Sequence, residues 1–155
     1  MIAIETKVEV AGLSGREVTD FMLNPSDENY RKWWSGTHLE FHLLKSYPGH
    51  IGDVVYMDEF IGRHRVKMKG VVVDAIPGEL VVWQFKKIIR LPARLSLMLK
   101  DGKEGVKITH TITIGFGGIG KILDPVFRLF LPKDFEKAMD EHARIEFNKL
   151  REVLH

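Results

Sequence analysis

His142 and Glu146 stand four residues apart in a run, Lys133 to Leu154, whose apolar residues recur at helical spacing. On a wheel of about 3.6 residues per turn, Phe135, Met139, Ala143, Leu150 and Val153 share one side. Both titratable residues fall inside that apolar arc, while Lys137, Asp140, Glu141, Arg144, Asn148, Arg151 and Glu152 form a solvated face. Titratable groups in an apolar stripe are costly unless they meet partners or a wet cavity. Residues four apart on a helix are surface neighbours, so the pair can share a proton or a hydrogen bond, the raw material of acid–base chemistry. Desolvation would raise Glu146 and lower His142, and their mutual attraction would do the reverse. The expectation is a pair held at the floor of a cavity; the alternative is that both side chains tip to solvent at its rim. An apolar residue suits the stripe, so if the pair is functional, His142→Phe and Glu146→Leu are expected to keep or raise stability while ligand binding or turnover falls.

A third acid–base candidate is His110, which shares a face with Val106, Ile108, Ile112 and Ile114 and should point toward the last helix, near Trp83 and Phe85. Asp58 and Glu59 are the remaining pair. A three-residue turn at Gly62 to His64 would put Asp58 on the same face as Met68 and Tyr56; a two-residue turn at Arg63-His64 would give that place to Glu59. Residues expected to line the cavity are Phe41, Tyr56, Met68, Trp83, Phe85, His110, Phe116, Phe135, Met139, His142 and Glu146.

The row His38, Glu40, His42 invites a metal reading, but His38 and His42 would lie about 13 Å apart along one strand, too far for two imidazoles on one zinc. The row also alternates with Leu39, Phe41 and Leu43, which puts it on the solvated side. No metal and no cofactor are expected. Arg63, Arg65, Lys67 and Lys69, with Lys86, Lys87 and Arg90 nearby, face Asp58 and Glu59 on the adjoining strand, so a charge-paired outer face is expected. Gly115, Gly117, Gly118 and Gly120 precede an apolar stretch, Ile119 to Leu131, without the Gly-Lys-Ser/Thr of a phosphate loop. That stretch reads either as a helical segment packed on the sheet and kinked at Pro125 and Pro132, or as a hydrophobic flap that could touch a partner or, transiently, a membrane. No Gly-x-Ser-x-Gly nucleophile elbow is present.

The 155 residues fit one domain, 1–155, and the 45% apolar and 28% charged fractions are those of a globular protein. A net charge of +2 supplies no field to recruit nucleic acid, and the lack of cysteine excludes disulfides and thiolate chemistry. Met1 to Val10 alternates and carries Glu5 and Lys7, unlike a signal peptide, so a cytoplasmic protein is expected.

The elements that must position these residues follow from pattern. Ile2 to Val10 alternates as a strand, Ser14 and Glu17 make a capping box before Val18, Phe21 and Met22, and Pro25 opens a second short helix through Tyr30, Trp33 and Trp34. Turns at Pro48-Gly49, Gly62 to His64, Pro77-Gly78, Leu91-Pro92 and Asp101-Gly102 divide strands near 38–47, 53–61, 65–75, 80–89, 94–100 and 106–116. Connections this short imply antiparallel pairing, and the one-sided strands imply a sheet covered on one face by the last helix.

This order, with Val18-Thr19-Asp20 leading to Tyr30 and Trp33, the strand entry Gly52 to Tyr56, Pro77-Gly78 before Val82-Trp83, and His142 through Leu150-Arg151, resembles the START-like superfamily, the helix-grip fold of the birch-pollen allergen. Within it the chain looks most like the polyketide cyclase/dehydrase and lipid-transport group. The resemblance implies an α+β helix-grip fold, a seven-stranded curved antiparallel sheet wrapped around a long C-terminal helix, with two short helices after the first strand. It also implies an internal cavity for apolar ligands. The leading expectation is a carrier or sensor of a small hydrophobic ligand such as a lipid or polycyclic aromatic. The alternatives are a cyclase-, dehydratase- or hydrolase-type enzyme using His110, His142, Glu146 and one of Asp58 or Glu59, and an adaptor docking through 119–131.

Overall fold

The structure is a computed structural model that describes residues 1–87 and 90–155, with Arg90 described by its backbone alone. The end of the strand expected over 80–89 and the side chain of Arg90 lie outside the described residues. In chain order the elements are β1 (Ile2–Ala11), α1 (Gly15–Leu23), α2 (Asp27–Trp33), β2 (His38–Lys45), β3 (Val54–Ile61), β4 (His64–Ile76) and β5 (Leu80–Lys86). They continue with β6 (Arg90–Asp101), β7 (Gly105–Ile114), a 3-10 helix (Gly118–Leu123), α3 (Asp124–Phe130) and α4 (Phe135–Leu154). The seven strands form one antiparallel sheet in the order β1-β7-β6-β5-β4-β3-β2, so every neighbour but β1 and β7 is also a neighbour in sequence. This is the α+β helix-grip architecture that the order of elements implies.

Local chemistry sets the elements. β1 alternates buried and exposed residues along its whole length, with Ile2, Ile4, Val8 and Val10 inward. At the start of α1 the Ser14 backbone N–H donates to Glu17 Oε2 at 2.8 Å and Ser14 Oγ accepts from the Glu17 N–H at 3.2 Å, the reciprocal capping box. α2 starts at Asp27, two residues later than Pro25 predicts, because the Ser26 side chain takes the cap by accepting the Asn29 N–H at 3.1 Å. β3 and β4 turn through Gly62 and Arg63, pairing Ile61 with His64, and Gly62 supplies the positive φ of 59° at the first turn position. The turn thus falls one residue before the two-residue alternative at Arg63-His64.

Leu91-Pro92 is not a turn but part of β6. The β5–β6 register shifts between Gln84 and Lys86, and this irregularity accommodates the proline that cannot donate to the ladder. Gln84 Nε2 donates to the Leu91 carbonyl at 3.2 Å, and the Pro92 carbonyl accepts the Gly115 N–H at 2.7 Å.

α4 lies across the concave face of the sheet, with Ala143, Phe147 and Leu150 inaccessible to solvent. Phe147 is the ring the helical stripe adds to the residues singled out above; it packs against Trp33 and His110 with centroids 5.9 Å away in each case. Phe147→Ala should cost about 3–5 kcal/mol in urea unfolding, the range for a large buried aromatic. A loss below about 1 kcal/mol would mean the helix does not grip the sheet through this residue.

The segment after β7 departs from a packed helix. Ile119 is 94% exposed and Phe130 81%, with Ile122 and Leu129 also largely in solvent. Leu131 alone among its apolar residues reaches the cavity described below, and Phe127 packs on Phe116. The reading of this stretch as core is therefore corrected: most of its apolar side chains stand in solvent and are not packed on the sheet. Phe130→Asp should change unfolding free energy by no more than about 0.5 kcal/mol, as expected for an exposed site. Among the described residues no helix is long and apolar enough to cross a membrane.

Candidate functional site

Between α4 and the sheet lies a cavity of about 190 Å³. Phe41, Met68, Trp83, Phe85, His110, Phe135, Met139 and Glu146 line it, as do Tyr30, Trp33, Met57, Glu59 and Phe147. Three residues expected on this wall are elsewhere. Tyr56 pairs with Lys69 on the outer face and its ring lies 5.4 Å from His42; its neighbour Met57, paired with Met68, takes the inward position. Phe116 is nearly half exposed beside Phe127, past the end of β7. His142 is buried but lies at the rear of the wall, in a shallow surface pocket with Trp34, Thr37, Phe60 and Ile145.

Strand register resolves the Asp58–Glu59 alternative. Glu59 pairs with Val66 and lines the cavity, whereas Asp58 pairs with Lys67 on the outer face. Arg65 grips Asp58 with two hydrogen bonds, Nε at 3.0 Å and Nη2 at 2.8 Å, and this holds the Asp58 carboxyl below its ordinary range. Lys67 lies 4.0 Å from the same carboxylate. The charge-paired outer face thus includes Asp58 but not Glu59.

His38 does not stand on the solvated face expected of it. Its pairing with Glu59 is followed directly by Glu40 with Asp58, so Leu39 is an extra residue in β2. This bulge breaks the alternation and turns His38 inward, to 0% exposure, alongside Phe41. The predicted row on one solvated face does not exist: Glu40 and His42 remain outside, where His42 Nδ1 lies 2.8 Å from Asp27 Oδ1. The spacing argument against a shared metal is sound for His38 and His42. It does not address the groups His38 actually meets.

Those groups are Glu59, His142 and Glu146. His142 Nε2 lies 3.1 Å from Glu59 Oε2 and 3.4 Å from Glu146 Oε2, and His38 Nε2 lies 3.4 Å from Glu146 Oε2 and 3.7 Å from Glu59 Oε2. Burial pulls the His142 imidazole toward neutrality, but its bonds to Glu146 and Glu59 and their charges prevail and push it up to about 10. For Glu146, burial acts to raise the carboxyl, and the two imidazoles override it and hold it well below the usual carboxylate range.

Aromatic rings fix this arrangement. Tyr30 stacks on His38 with centroids 4.0 Å apart and 7° between planes, and Trp34 stacks on His142 at 4.9 Å. The Tyr30 hydroxyl donates to Glu59 Oε2 at 2.8 Å; burial, then the carboxylate charges around it, push that phenol well above its ordinary range. Trp33 Nε1 donates to the Glu146 backbone carbonyl, tying α2 to α4.

His110 stays apart from the cluster, on β7 against Phe147, and burial lowers its pKa. Of the acid–base candidates, the fold thus gathers His142, Glu146 and Glu59, adds His38, and leaves out Asp58 and His110. Tyr30 and Trp33 were legible as helix residues without any sign of this role. The one hint in the sequence is that two titratable residues in the apolar stripe of α4 need buried partners.

No protein-family model matches the sequence, and no curated protein matches it. Solved structures do. Ara h 8.0201 superposes with a TM-score of 0.62 at 11% identity over 99% of this chain and 97% of that one. The ginseng major latex-like protein 151 from Panax ginseng gives 0.59 at 11% identity, covering 91% and 96% of the two chains. Aha1 from Colwellia psychrerythraea gives 0.52 at 18% identity, covering 89% and 98%. At such identities the likeness concerns the fold alone, and the chain has the helix-grip fold that these structures share.

Proposed function

We propose that the chain binds one compact apolar ligand in the cavity under α4, as a carrier or sensor. The supporting observation is a cavity of about 190 Å³ with almost wholly apolar walls and two buried polar atoms without hydrogen-bond partners among the described residues, Trp83 Nε1 and His110 Nδ1. A dry apolar cavity of about 150 Å³ suffices to hold benzene, so this one suits a molecule of one or two rings or a short isoprenoid. The helix-grip likeness supports the same reading, because the superfamily is identified with internal cavities for hydrophobic ligands.

Native mass spectrometry of the purified chain, searching for a co-purified small molecule, and titration with an environment-sensitive dye test this. Leu95→Trp, which adds a ring at the cavity wall, should abolish saturable dye binding while the circular dichroism spectrum is kept. If the variant folds and binds as before, the dye sits elsewhere and the cavity reading falls.

A further inference from the structure

We infer that His38, Glu59, His142 and Glu146 form a binding site for a single first-row divalent metal ion, with Zn²⁺ the best match. The inference stands independently of the ligand reading. All four side chains offer a ligand atom, and those atoms lie within 4.8 Å of one another. Around a tetrahedral zinc with bonds of about 2.0–2.2 Å, neighbouring donors stand roughly 3.3–3.6 Å apart. The four nitrogen–oxygen edges here are 3.1, 3.4, 3.4 and 3.7 Å. Four of the six donor–donor edges are thus close to those an ion would require, and the remaining two, nitrogen to nitrogen and oxygen to oxygen, lie within 4.8 Å.

A second observation concerns His38 alone. It is wholly buried, its Nε2 lies 3.4 Å from Glu146 Oε2 and 3.7 Å from Glu59 Oε2, and neither ring nitrogen has a hydrogen-bond partner among the described residues. A buried imidazole is rarely left unsatisfied, and a metal on Nε2 would supply the missing interaction. Charge points the same way: the two carboxylates are largely buried and share one place, and a dication with two neutral imidazoles balances them. The outer support is present too, since the Tyr30 hydroxyl orients Glu59 and stacked rings fix both imidazoles. A shallow surface pocket touches His142 on one side, and Glu59 and Glu146 line the ligand cavity on the other. A bound ion would therefore form part of the cavity's polar end.

The full chain, stripped with a chelator and dialysed, should bind one equivalent of Zn²⁺ by calorimetry and gain melting temperature. Co²⁺ should give the intense visible bands of a tetrahedral centre. His38→Phe keeps the stack on Tyr30 and removes one donor; Glu146→Gln keeps the shape and removes the charge. Each should weaken Zn²⁺ binding by about a hundredfold or more. His42→Ala, outside the cluster, should leave stoichiometry and affinity unchanged. No stoichiometric binding to the native chain, an octahedral cobalt spectrum, or affinity unaltered in both His38→Phe and Glu146→Gln would overturn the assignment.

Discussion

His142→Phe is expected to destabilise the chelator-treated protein by about 3–5 kcal/mol, the usual cost of removing one partner from a buried charged group. The helical stripe alone argues for the opposite outcome, since an aromatic ring suits an apolar face. Geometry decides between them: His142 Nε2 is the closest cation to Glu59 Oε2 and lies 3.4 Å from Glu146 Oε2. Without it, the two largely buried carboxylates keep the more distant His38 as their imidazole partner among the described residues. The double variant His142→Phe with Glu146→Leu should recover a large part of the loss, because it removes the uncompensated charge along with its partner. Urea unfolding in a chelator measures both. A single-variant loss under about 1 kcal/mol would show that the cluster is relaxed by water.

The same pair should impose a steep alkaline limb on stability. His142 is raised from 6.5 to about 10 in the folded chain, so its contribution is complete below pH 6.5 and declines as pH rises through 10. Glu146 is lowered from 4.5, so its contribution is complete above pH 4.5 and declines as pH falls below that. The metal-free protein should thus be most stable between about pH 4.5 and 6.5, with the alkaline loss amounting to several kcal/mol. These are two views of one interaction and do not add. In His142→Phe the alkaline limb should flatten between pH 6.5 and 10; an unchanged limb would assign it to other groups.

How far the sequence is legible depends on the kind of pattern. Period-two alternation identifies β1 and β7, and Ser14 with Glu17 marks the start of α1, because each is written in neighbouring residues. The apolar stripe identifies α4 and the inward turn of Glu146 for the same reason. His38 was hidden because a bulge at Leu39 leaves no mark in an otherwise regular alternation of Leu39, Phe41 and Leu43. The β3–β4 turn differs by one residue from the nearest alternative, and one residue decides whether Tyr56 or Met57 faces the cavity. Pro92 reads as a turn and is absorbed in a strand irregularity, which only the β5–β6 pairing reveals. The exposed residues from Ile119 to Phe130 show the reverse failure: apolar composition implies burial only where there is surface to cover.

Calorimetric titration of the full chain with a graded series of aromatic alcohols, in chelator, reads whether the cavity beneath α4 takes a ligand. Phenol and 1-naphthol should bind saturably at one site, a three-ring alcohol should bind at least tenfold more weakly than 1-naphthol, and Leu95→Trp should abolish the response to 1-naphthol. No saturable heat from any member with the fold intact, or equal binding by the native chain and Leu95→Trp, would contradict it.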